Sequence, residues 1–134
     1  MRSLLAVVIA TALMFGANEW GFWPATPLVG ALLVVVTPTT RRAVGLALLS
    51  GVIGWGLPLL LMTGDAEIVR LAEVLGGILG IGGQVGTIIA LALPSLIGGL
   101  LGLSAAWIAG AVKGVVVRPS VQSATEFGRT TLHR

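Results

Sequence analysis

An all-α integral membrane protein is the fold class these 134 residues predict, with about four transmembrane helices. A short amphipathic interfacial or re-entrant helix is expected between the third and fourth. Three observations lead there. Charged residues make up 10% of the chain and hydrophobic ones 56%, against about 25% charged in ordinary soluble domains. The eight basic and five acidic side chains fall almost wholly into short gaps between long uncharged stretches. Those stretches, at about 3–17, 20–38, 43–63 and 85–112, approach or exceed the roughly 20 apolar residues that a bilayer core requires. Lipid offers no hydrogen bonds, so segments with this pattern must satisfy their backbone internally as helices. Twenty glycines and six prolines therefore do not read as loops, since both residues are commoner in membrane helices than in soluble ones.

The first span follows Arg2. Arg2, the apolar run Leu4–Ile9 and the small-x-small triplet Ala10-Thr11-Ala12 have the outline of a signal peptide. Cleavage there would leave an apolar core of about six residues, below the usual 7–15, so an uncleaved span is expected. Asn18-Glu19 is the first polar break, followed by Trp20, Phe22, Trp23, Pro24 and Pro27. Indole rings favour the headgroup level, which makes this segment an interfacial turn at the start of the second span. Thr39-Thr40-Arg41-Arg42 separates the second span from the third, whose apolar length reaches about 30 Å, the hydrocarbon thickness.

Asp65 is a good N-cap for a helix over about 66–81. Ile68, Leu71, Ala72 and Leu75 share one face of it, while Glu67, Arg70 and Glu73 lie opposite. That division suits a helix lying on the membrane surface, and its continuation Gly76–Gly83 either stays there or re-enters the bilayer. The last span, about 28 residues, is long enough to require tilt or a kink at Pro94. Splitting it at Pro94-Ser95 would leave a two-residue turn, so one span is expected. Residues 1–114 then form the bundle, and 115–134 a polar basic tail expected to be loosely ordered.

Four spans put Arg2, Arg41, Arg42, Lys113, Arg118, Arg129 and Arg134 on one side, seven of the eight bases. Arg70 shares the other side with Glu19, Asp65, Glu67 and Glu73. The positive-inside rule makes this a multi-pass cell-membrane protein with both termini cytoplasmic.

The most specific pattern is a stripe of small residues spaced by four: Gly82, Gly86, Ala90, Gly98, Gly102, Ala106, Gly110 and Gly114, with Pro94 at the missing step. Helices in lipid associate through close backbone packing, and small-xxx-small stripes permit it. The stripe either packs the chain's own bundle, against the second or third span, or docks another copy or another membrane subunit. Trp55 and Trp107 are expected to pack against it.

Chemistry is sparse. Glu19 reads as part of an interfacial turn or, alternatively, as an intramembrane carboxylate. Glu19, Gln84, Thr87 and Ser95 are the candidates for a polar path, although hydroxyls in membrane helices commonly bond back to their own backbone. The absence of cysteine excludes disulfides, iron–sulfur clusters and thiolate zinc sites. His133, the single histidine, stands one residue from the end of the sequence, out of reach of any haem, metal or Ser/His/Asp arrangement inside the membrane. Gly76–Gly86 lacks the preceding strand and following Lys-Ser/Thr of a phosphate loop. No catalytic, cofactor-binding or metal residue is therefore expected, and no enzyme. The net charge of +3 is scattered over three gaps rather than gathered on one face, which argues against nucleic acid as a partner. The expected partners are the lipid bilayer and either a second copy or another membrane subunit. The expected role is that of a packing or accessory subunit. The alternative is a small channel or transporter for ions or small solutes, with a glycine-rich broken helix at residues 76–86 lining its cavity.

Overall fold

The computed structural model describes the backbone of residues 2–62 and 64–131 and the side chains of residues 4–62 and 64–116. Within these residues the chain is all-helical, with five helices and no strand: α1 Arg2–Glu19, α2 Ala25–Val36, α3 Thr40–Met62, α4 Ala66–Ile78 and α5 Gly83–Thr131. Two of them, α3 and the Gly83–Val116 part of α5, are long and apolar enough to cross a membrane. At 1.5 Å per residue they extend about 34 Å and about 51 Å. The shorter apolar helices α1 and α2, of 18 and 12 residues, reach about 27 Å and about 18 Å.

Helix α2 starts five residues later than the apolar stretch does, because the end of α1 consumes the intervening chain. Gly21 adopts φ +70°, the Phe22 N–H donates to the Ala17 carbonyl (2.9 Å) and the Gly21 N–H donates to that of Asn18 (2.9 Å). This is a Schellman ending, and glycine is the residue that enters the left-handed region without steric cost. Helix α4 stops the same way. Gly80 has φ +75°, Ile81 N–H donates to Gly76 O (2.9 Å) and Gly80 N–H to Gly77 O (3.0 Å). The glycine-rich run is thus a helix stop and a tight return, and α4 ends at Ile78 rather than near residue 81. Its start follows the sequence: the Asp65 carboxylate accepts from the Glu67 N–H at 3.0 Å.

Helix α5 passes through Pro94 as one element and does not end at Lys113. Residues 115–131, expected to be loose, continue it. Among the described residues no glycine after Lys113 takes the positive φ found at Gly21 and Gly80, and a proline such as Pro119 removes one backbone donor while leaving neighbouring turns bonded. The side chains of Arg2, Arg118 and Arg129, and all of His133 and Arg134, lie outside the described residues.

Helix α3 occupies the centre, touching α1, α2 and α5, while α5 also holds α2 and α4. α3 and α5 run antiparallel, with Gly56 near Ser95, Gly51 against Gly98, Ala47 against Gly102 and Thr40 against Gly110. α1 lies along α3 with Met14 on Gly54. α2 is tied to α3 by the Trp55 indole N–H, which donates to Thr26 Oγ1 at 2.9 Å. The interior is built mostly from small residues, including Ala10, Ala43, Ala47, Ala72, Ala90 and Ala106, with Met14, Leu33 and Val34 the larger apolar side chains buried among them, whereas exposed leucine, isoleucine and valine line the outside of every helix. A water-soluble protein sorts its side chains the other way and rarely leaves large apolar patches bare. Only 28% and 22% of the residues in the apolar windows of α3 and α5 are buried, so neither resembles the core helix of a soluble domain.

Candidate functional site

The small-residue stripe is where the helices come closest. Gly82 lies in the turn before α5, and nothing approaches within 4 Å of the position a Cβ would take there. Gly86 backs onto Gly76 and Ile81. Ala90 and Ala106 are buried. Gly98 meets the Gly51 backbone and the Trp55 ring. Gly102 sits between two helices: a Cβ on it would stand 2.6 Å from the Ala47 carbonyl oxygen, and one on Gly30 would stand 2.6 Å from the Gly102 carbonyl oxygen. Gly110 rests on Thr40, and Gly114 has nothing within 4 Å. The middle of the stripe therefore contacts α2 and α3 of the same chain. Trp55 packs against it as expected, but Trp107 is 69% exposed. Trp107 follows Ala106 directly, and consecutive helical residues point to different faces, so it cannot cover a stripe on its own helix.

The polar candidates do not assemble into one path. Glu19 is the exposed last residue of α1, next to Trp20, which is 91% exposed. Gln84 and Thr87 line a pocket of about 620 Å³ between α4 and α5, and the Thr87 hydroxyl donates back to the Gly83 carbonyl at 3.3 Å. Ser95 lines a separate apolar groove of about 490 Å³ between α3 and α5. Sequence reasoning missed Glu73, which joins Gln84 and Thr87 in the first pocket. No sequence signal pairs them: the turn at Gly80 sets Gly76 against Gly86, and that approach brings the flanking residues together. Among the described residues no group of three potential metal ligands forms.

The antiparallel bundle sorts charge between its ends. Arg41, Arg42 and Lys113 belong to the end where α3 begins, and Glu19, Asp65, Glu67, Arg70 and Glu73 to the end where it finishes. At the basic end a groove of about 910 Å³ opens between α1 and α2. Leu5, Ile9, Leu32 and Val36 form its walls, and Arg42 and Lys113 line it at the α2–α3 turn. The Lys113 ammonium donates to the Val34 carbonyl at 3.1 Å, and the Thr37 hydroxyl donates to Leu33 O. Positions 42 and 113 carry no sequence signal for this meeting, which depends on the register of α3 against α5. Comparison with protein-family models, curated proteins and solved structures finds no match to this chain.

Proposed function

We propose that this chain is a multi-pass membrane protein with four spans and both termini cytoplasmic, serving as an accessory subunit of a homo-oligomer or larger membrane complex. The observation that carries the membrane reading is the inverted packing, with mostly alanine and glycine inside and most leucine, isoleucine and valine side chains outside. In water such an exterior would drive aggregation, whereas in lipid it is the ordinary solvent contact. Helix α2 crosses in this reading with its aromatic entry, Trp20 to Trp23, at the headgroups. The basic end faces the cytoplasm by the positive-inside rule.

A passive, packing role is supported by the interior itself. The only buried polar side chains among the described residues are Thr26 and Ser50, neither of which titrates. Because the middle of the stripe is engaged within the chain, association with a partner would use the outer faces. The mass of the assembly purified in mild detergent tests this. A particle larger than one 13.6 kDa chain with its micelle, or a stoichiometric co-purifying protein, is expected. A monodisperse monomer without a partner would overturn the accessory role.

The second reading, a small channel or transporter, is favoured by the pocket shared by Glu73, Gln84 and Thr87, since polar side chains within membrane proteins commonly mark solute paths. Flux into proteoliposomes that is abolished by Glu73→Gln would replace the accessory role with this one. Absence of ion, water and small-solute flux would remove it.

A further inference from the structure

We infer that the groove between α1 and α2 binds an anionic phospholipid, its acyl chain lying along the apolar walls and its phosphate between Arg42 and Lys113. The groove, at about 910 Å³, falls within the range of about 300–1,000 Å³ typical of ligand pockets. Its walls are apolar along α1 and α2, and no acidic residue lines it. Two cations from different helices converge on one end. Arg42 has neither a hydrogen bond nor an ion pair among the described residues, and Lys113 spends one of its three donors on Val34 O at 3.1 Å. The helix dipole accounts for the Lys113 ammonium of α5 resting on the last turn of α2, but it leaves Arg42 in the same groove without a counter-charge. A phosphate between them supplies one. The guanidinium fork matches phosphate oxygens in two-point geometry, and the cytoplasmic leaflet, which this end faces in the proposed topology, carries anionic headgroups.

Occupancy by lipid rests on the membrane location proposed above, and the test separates the two. The full chain is first fractionated without detergent, then purified in detergent and titrated with phosphatidylglycerol or phosphatidylcholine of identical acyl chains. Retained lipid is counted by native mass spectrometry. Phosphatidylglycerol should be retained at least tenfold better than phosphatidylcholine. The double variant Arg42→Gln, Lys113→Gln should erase that preference, and Arg42→Lys, Lys113→Arg should keep it. Ala6→Trp, which fills the groove, should lower retention of either lipid, with circular dichroism confirming that each variant is folded. Equal retention of the two lipids by a membrane-borne chain overturns the lipid site alone, as does a preference that survives the double glutamine variant. A co-purifying protein that cross-links to the groove wall at Leu32 in place of lipid does the same. A chain that fractionates with the aqueous phase overturns the membrane location and the lipid site together.

Discussion

Replacing Gly102 by alanine tests the close packing at its tightest three-helix point. The added Cβ would stand 2.6 Å from the Ala47 carbonyl oxygen, about 0.8 Å short of the 3.4 Å at which ordinary contact begins. The obstacle is backbone, so no rotamer change relieves it and α3 and α5 must separate. Overpacking of this kind costs about 1–3 kcal/mol. Alanine returns about 1 kcal/mol through its higher helix propensity, leaving a net loss of about 0–2 kcal/mol. Gly45, on the same central helix α3, supplies the control, because nothing lies within 4 Å of its Cβ position. Gly45→Ala should therefore stabilise by the same propensity gain of about 1 kcal/mol. The two substitutions are chemically identical, yet they should differ by about 1–3 kcal/mol, a factor of about 5 to 150 in the unfolding equilibrium. Titration with sodium dodecyl sulfate in mixed micelles, followed by circular dichroism and tryptophan fluorescence, measures that difference. Equal shifts in the same direction would refute the close approach of α5 to α3.

Two further perturbations probe α2 and α4. The bond from the Trp55 indole to Thr26 Oγ1, at 2.9 Å, should give a coupling of about 0.5–1.5 kcal/mol in a double-mutant cycle with Trp55→Phe and Thr26→Val; zero coupling would dissolve the α2–α3 tie. Asp65→Ala removes the carboxylate that accepts from the Glu67 N–H and should destabilise α4 by about 0.5–2 kcal/mol. Amide exchange should then quicken in α4 while α3 and α5 stay protected, and Asp65→Asn should hold the parent rates.

Helix positions were legible wherever apolar runs and charge gaps act locally. The charge gaps mark helix ends, with Asn18-Glu19 closing α1, Arg41-Arg42 in the first turn of α3 and Asp65 capping α4, because a polar break in an apolar run has few places to go. The exact ends were less so. Gly21 and Gly80 each stop a helix by taking positive φ, but in a chain of 20 glycines nothing local distinguishes these two from Gly45 or Gly114, which continue theirs. Trp107 faces outward, 69% exposed, because it shares a helix with the stripe it was expected to cover. The α1–α2 groove was illegible for a different reason. Arg42 and Lys113 are 71 positions apart, and only the antiparallel step of Gly51 on Gly98 and Thr40 on Gly110 brings them to the same end.

Because the chain has no cysteine, single cysteines can report what surrounds its large apolar side chains. Leu96 and Leu100, midway along the apolar part of α5, are 55% and 52% exposed, and Arg41 is exposed at the basic end. In intact membranes a water-soluble maleimide should label Arg41→Cys and leave Leu96→Cys and Leu100→Cys unmodified until detergent or denaturant is added. Labelling of either α5 position as fast as Arg41→Cys would mean that water covers the leucine-rich exterior, contradicting a bundle whose solvent is hydrocarbon.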